Sequence, residues 1–137
     1  MLTLLIIALA MAPVSPAPGQ ESISLNVPDD ISPAMDPYVR CRLQSVGATM
    51  YDKDDKPMPA LVEKGGDCTA VRTKAVADAD VALAQQGKKD SVRAKLIAKT
   101  VKSIDEFAEK EGRLMAAAAE KLDAAADNMR AAAKKAD

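Results

Sequence analysis

Histidine and tryptophan are absent from this sequence, and only three aromatic residues occur, Tyr38, Tyr51 and Phe107. Histidine is the commonest general acid or base near neutral pH and a frequent metal ligand, so its absence removes the usual routes to both kinds of chemistry. The shortage of aromatic rings leaves no platform on which nucleic-acid bases could stack. We therefore predict a protein that is not an enzyme, needs no cofactor or metal, and does not bind nucleic acid.

The sequence also lacks a dominant charge, because 19 basic and 20 acidic residues give a formal net charge of −1. Such a balance produces no overall attraction for a nucleic acid or an acidic substrate. The length of 137 residues corresponds to about one domain. Any charged binding surface must therefore come from local clustering.

The only long apolar run lies at the amino terminus, where residues 2–12 read LTLLIIALAMA. This run is too short to span a bilayer as a helix. It fits the apolar core of a secretory signal peptide, with small residues after it at the spacing a signal peptidase uses, although no Lys or Arg precedes it. We predict that residues 1–17 are a signal peptide and that the processed protein is periplasmic or secreted, with no transmembrane anchor. The alternative is a buried amino-terminal helix or strand.

Cysteine is scarce, and Cys41 and Cys68 are the only two in the chain. An even number of cysteines in an exported protein favours a disulfide. The alternatives fit less well: a redox pair is usually spaced as C-x-x-C, and two thiolates without further Cys or His ligands make a poor zinc site. We predict a structural disulfide between Cys41 and Cys68.

Large aliphatic residues are also few. After residue 17, Leu, Ile, Val and Phe together make up fewer than one residue in five, and Ala supplies much of the remaining apolar content. Alanine has the highest helix propensity but buries little surface. The composition predicts an all-α protein: a small disulfide-stapled helical bundle with a long Ala-rich C-terminal helix.

The segment before the first helix, residues 18–35, is rich in proline and predicts a flexible linker. Residues 21–27 alternate weakly and are interpreted as extended coil that lies on the helices. The first helix is predicted to begin near Asp36, which can cap it, with Pro37 at the first helical position. Its predicted buried face consists of Val39, Leu43, Val46 and Met50.

A second helix is predicted after Asp67, ending near Gln86, with Gly87 as its C-terminal cap. Cys68 lies in its first turn. The predicted inner face consists of Val71, Ala75, Val76, Ala79 and Leu83.

The loop between these two helices is acidic. Asp52, Asp54 and Glu63 have the spacing of calcium ligands in a helix–loop–helix site. However, Lys56 and Pro57 occupy the positions that need a ligand and a glycine. We therefore interpret this segment as a solvated acidic loop.

From residue 90 onward there is no proline, and Gly112 is the only glycine. Apolar residues recur at alternating spacings of four and three over more than five heptads, which predicts one helix with coiled-coil character. Such a helix is too long for the first two to cover, so we assign residues 36–111 to the helical bundle and residues 112–137 to an Ala-rich helical extension. The seam consists of Ile97, Val101, Ile104, Ala108, Glu111, Met115, Ala118, Leu122, Ala125, Met129, Ala132 and Ala136.

One basic stretch stands out, residues 88–102, where six Lys and Arg residues accompany a single acid, Asp90. Lys95, Lys99 and Lys102 fall on one stripe of the predicted helix. They are candidates for contact with an anionic envelope polymer or a lipid headgroup. The alternative is an ordinary solvated face.

These features favour a small exported non-enzymatic protein that binds an envelope component or a partner protein. The alternative is an oligomeric structural coiled-coil element of the cell envelope, a homo-oligomer assembled through the C-terminal seam. A monomeric extension and a helix lying on a lipid surface are two further interpretations of residues 114–137. The candidate association residues are Met115, Ala118, Leu122, Ala125 and Met129.

Overall fold

The structure is a computed structural model that describes residues 24–136, and within this range the chain forms three α-helices and no strand. They are α1 (Ser32–Ser45), α2 (Thr69–Gln85) and α3 (Asp90–Lys135), the last with 46 residues. The predicted all-α fold with a long C-terminal helix is confirmed. The predicted signal peptide, residues 1–17, lies outside the described residues.

The disulfide between Cys41 and Cys68 is present and joins the middle of α1 to the start of α2. Its two Cα atoms are 6.0 Å apart, within the range that a disulfide needs. Cys41 is fully buried and Cys68 nearly so. The predicted staple is therefore confirmed, and it lies inside the core.

The core fills the space between the three helices and is thin. α1 contributes Met35 and Tyr38, and α2 contributes little more than Leu83 and two alanines. The first half of α3 adds Ile97, Val101, Ile104 and Ala108. Because alanines bury little surface, each larger side chain carries much of the burial in this core.

α1 begins at Ser32, about one turn before the predicted start near Asp36. Pro33 lies in its first turn, where a missing backbone N–H costs nothing, and Pro37 lies inside the helix instead of opening it. Both prolines fit the first turn of a helix equally well, so the sequence does not distinguish a start near Ser32 from one near Asp36. The segment before α1 is also not a free linker over residues 24–35, because Ile31 and Met35 have no exposed surface.

The predicted buried face of α1 is wrong. Val39, Leu43, Val46 and Met50 are only partly buried. The face that enters the core carries Met35, Tyr38 and Cys41. The physical reason is that Cys41 must point at α2 to form the disulfide, which turns Val39 and Leu43 to the sides.

α2 ends where it was predicted to end, but it begins at Thr69, so Cys68 immediately precedes the helix instead of lying in its first turn. Asp67 precedes the helix, and its carboxylate accepts a hydrogen bond from the backbone N–H of Thr69 at 2.8 Å. At the other end Gly87 has a φ of +76°, Lys88 donates its N–H to the carbonyl of Leu83, and Gly87 donates to that of Ala84. This pair of bonds is a Schellman motif, which favours glycine at this position. Ala75, Ala79 and Leu83 are buried as predicted, with Val71 and Val76 beside them.

α3 changes its surroundings at Gly112. A Cβ added to Gly112 would lie 3.1 Å from Cβ of Val46, so the end of α1 approaches α3 closely at this level. Beyond it, the large apolar side chains of Leu114, Leu122 and Met129 are each more than half exposed. We call residues 113–135 the arm, and in this single chain the arm extends beyond the bundle.

Removing the disulfide should destabilise the bundle strongly. The chain-entropy model assigns about 3.5 kcal/mol to a loop of this length, which is a large share of the stability of a small domain. We expect the Cys41→Ser/Cys68→Ser variant to lose about that much free energy of unfolding in urea titrations. An unchanged urea midpoint would show that the core alone holds the helices together.

Deleting the arm should leave the bundle intact. Side chains beyond Met115 contribute little to the core, so a chain that ends at Glu111 loses helix but few core contacts. We expect circular dichroism to show a smaller helical signal and a thermal midpoint that is nearly unchanged at low protein concentration. A large fall in the midpoint would mean that the arm packs on the bundle.

Candidate functional site

The structure places Lys95, Lys99 and Lys102 on the exposed side of α3, away from the buried seam. Their spacing of four and three residues aligns them along one stripe. Lys102 Nζ lies 3.8 Å from a carboxylate oxygen of Glu106, and both side chains are well exposed. An exposed pair of this kind is weak, so Glu106 offsets the charge of Lys102 only in part.

A cleft of about 370 Å³ lies beside two of these lysines, between α3 and the extended segment that precedes α1. Asn26 and Pro28 form one wall, and Lys99, Lys102 and Ser103 are among the residues of the other. The cleft therefore combines two ammonium groups with two hydroxyls, an amide and the carboxylate of Glu106.

A second, shallower depression continues along α3 toward its start. It is lined by Ser91, Val92, Lys95, Leu96 and Lys99, so it shares Leu96 and Lys99 with the cleft. The three lysines thus border one continuous surface with an apolar side chain in its middle. We call Lys95, Leu96, Lys99 and Lys102 the lysine face.

Sequence reasoning identified the three lysines but missed Asn26 and Pro28. The proline-rich composition of residues 18–35 predicts a linker, which gives no reason to expect any of these residues at a site. The weak alternation of residues 21–27 is the sequence feature that indicates contact with the helices. In the structure Leu25 and Val27 pack against the core and hold this segment on the helices.

Asp105 fixes the orientation of α3 against α1. Its carboxylate accepts a hydrogen bond of 2.6 Å from the Tyr38 hydroxyl and one of 2.9 Å from the Arg42 guanidinium. Burial of the Tyr38 ring, followed by the hydrogen bond to Asp105, raises the pKa of Tyr38 to about 12. Since Asp105 lies one turn beyond Lys102, this contact helps to set where the lysine face points.

Arg93 belongs to the basic stretch but is used for structure. Its guanidinium bonds to the carboxylate of Asp80 at 2.8 Å, to the carbonyl of Lys88 at 2.9 Å and to Asp90 at 2.9 Å. The hydrogen bond with Asp80 is the main cause that raises the pKa of Arg93. These contacts hold the connection between α2 and α3 in place. Arg93 is therefore engaged within the protein, whereas Lys95, Lys99 and Lys102 can contact a ligand.

The acidic loop is held by a turn centred on Asp52. One oxygen of its carboxylate accepts hydrogen bonds from the backbone N–H groups of Asp54 and Lys56, at 2.8 and 3.0 Å. Gln44 anchors the following part of the loop through Pro59 and Leu61. Within residues 24–136, no three acidic or cysteine side chains come together as a metal site would need.

The candidate association residues lie on the arm. Leu122 and Met129 are 71% and 73% exposed, and Met115, nearest the bundle, is partly buried. Ala118 and Ala125 complete the same face and are exposed. In the part of the chain that the structure describes, no other segment covers this apolar face.

Comparison with protein-family models, with curated proteins and with solved structures finds no match to this chain. None of the helices in the described part of the chain is both long enough and apolar enough to cross a membrane.

The raised pKa of Tyr38 can be measured directly. The chain has two tyrosines, so in the Tyr51→Phe variant the phenolate absorbance reports Tyr38 alone. We expect a midpoint near pH 12, in contrast to 10.0 for an ordinary tyrosine. The neutral phenol is the favoured form in the folded state, so its contribution to stability is complete below pH 10 and is lost as the pH rises toward 12. A midpoint near 10 in the folded protein would contradict the buried hydrogen bond to Asp105.

Proposed function

We propose that this protein is a small exported, non-enzymatic helical protein that binds an anionic component of the cell envelope, or an anionic partner protein, through the lysine face. The observation that supports this most is the arrangement of Lys95, Lys99 and Lys102 along one exposed stripe, beside a cleft with polar groups. The disulfide supports export, because such bonds persist in oxidising compartments.

The chemistry of the lysine face favours ligands with several phosphate or carboxylate groups. Lysine is a flexible point charge, which suits attraction to a series of anions better than the shaped recognition that arginine gives. Leu96 adds an apolar contact between the ammonium groups. Binding of this kind weakens as salt concentration rises, because exposed charges are screened.

Binding to two model anions tests this proposal. Vesicles containing phosphatidylglycerol represent a lipid headgroup, and soluble polyphosphate represents an anionic polymer. Three lysines near an anionic surface contribute about 1 kcal/mol each, so Lys95→Gln/Lys99→Gln/Lys102→Gln should weaken vesicle binding about 100-fold at low salt. Polyphosphate should respond in the same direction, and the tighter of the two ligands identifies the class.

The matched control makes the same change in net charge at exposed lysines away from the lysine face and the apolar seam, as Lys53→Gln/Lys56→Gln/Lys134→Gln. Both variants alter exposed side chains, so both should keep the thermal midpoint of the unmodified protein. Equal loss of binding in the two variants would mean that only net charge matters, and it would contradict a specific role for the lysine face.

The alternative function is an oligomeric coiled-coil element of the envelope, assembled through the arm. The observation that favours it is the exposure of Leu122 and Met129 on the arm, whose apolar face is not covered by other residues in the range 24–136. This alternative uses a different surface from the lysine face, and the two functions are compatible.

A further inference from the structure

The arm has two kinds of residue on its apolar face, and they alternate regularly. In heptad terms the a positions hold the large side chains of Met115, Leu122 and Met129, and the d positions hold alanine. The e positions 119, 126 and 133 are also alanine. A second helix can therefore approach closely on the d and e side, provided that it brings bulk to fill the space beside each alanine.

This alternation distinguishes the two ways in which the arms of two copies could pair. In a parallel pair, a faces a and d faces d, so layers of two large side chains would alternate with layers of two alanines. In an antiparallel pair, a faces d, and every layer combines one large side chain with one alanine. Layers of equal side-chain volume keep the two helices at a constant distance and leave no voids. The side-chain volumes along the seam therefore favour the antiparallel pair.

Position fixes the register. When Leu122 faces Ala125 of the second copy, Met115 faces Ala132 and Met129 faces Ala118, so the paired part of the arms runs from residue 115 to residue 132 and stops short of Val46 beside Gly112. A shift of one heptad in one direction would push the end of each arm into α1, because Val46 lies level with Gly112. The opposite shift would place Ala118 against Ala136, a layer of two alanines.

Charge supports the same arrangement. Glu111 occupies a d position, so a parallel pair would place the two Glu111 carboxylates opposite each other. In the antiparallel register the two Glu111 side chains lie at opposite ends of the paired arms, which removes this repulsion.

We propose that two copies of this chain form a two-fold symmetric dimer in which the arms pair antiparallel, with Leu122 of each copy against Ala125 of the other. The proposal deepens the alternative function and rests on the arm as an interaction surface, independently of the lysine face. The bundles then lie at opposite ends of the paired arms. Because the seam is mostly alanine, little surface is buried and the dimer is weak.

Cysteine pairs test the direction of the arms in the full chain. We expect a mixture of the Ala118→Cys and Met129→Cys variants to form a disulfide between unlike chains under mild oxidation, because these positions face each other. Either variant alone should form little disulfide-linked dimer. In a pair of identical variants, the new cysteines of the two copies are offset by 11 residues, about 16 Å along the helix. The native disulfide is buried and so protected from exchange. Efficient cross-linking of Ala118→Cys with itself, but not with Met129→Cys, would overturn the antiparallel arrangement.

Light scattering tests the association itself. The unmodified chain should shift from one copy toward two as concentration rises, and Leu122→Glu should stay at the mass of one copy. The control is Val81→Glu, which changes a side chain that is 56% exposed on α2 and should still dimerise. A chain that remains single at every concentration would overturn the dimer and leave anion binding by the lysine face standing. Conversely, failure of the lysine variants to weaken anion binding, with the dimer present, would overturn the proposed function alone.

Discussion

The bond between Cys41 and Cys68 is the constraint on which the rest of this structure depends. The core has few large side chains, and α2 offers little more than Leu83 and two alanines to it. A covalent link across α1 and α2 reduces the freedom of the unfolded chain, which offsets the small area that folding buries. The link also determines which face of α1 is buried, because Cys41 must point at the start of α2. Val39 and Leu43 therefore lie on the sides of α1, where they are only partly buried.

Once α1 and α2 are joined, α3 is positioned by two polar contacts. Asp105 receives hydrogen bonds from Tyr38 and Arg42 of α1, and Arg93 connects α3 to Asp80 of α2. These contacts set the rotation of α3 about its own axis. Its apolar seam therefore faces the core in the first half, and its lysines face outward beside Asn26 and Pro28.

Much of this architecture could be predicted because its signals are local. Gly87 marks the end of α2, the absence of proline after residue 90 predicts the length of α3, and the two cysteines had a single pairing open to them. The start and the buried face of α1 could not be predicted in the same way. Pro33 and Pro37 both fit the first turn of a helix, and the buried face is chosen by Cys68 and Asp105, which are distant in the sequence. For the candidate site, the lysines were evident from their spacing, whereas Asn26 and Pro28 reach it only through tertiary packing.

The position of Gly112 has a consequence for how the arm acquires its helical structure. A helix must first overcome an unfavourable nucleation step, and thereafter each added residue costs little. In this chain the folded first half of α3 supplies the nucleus, so the alanines of the arm need only extend a helix that already exists. Because most of its side chains are exposed, the arm of a single copy is expected to lose helix progressively toward Gly112 on heating, gradually and without the sharp transition of the bundle.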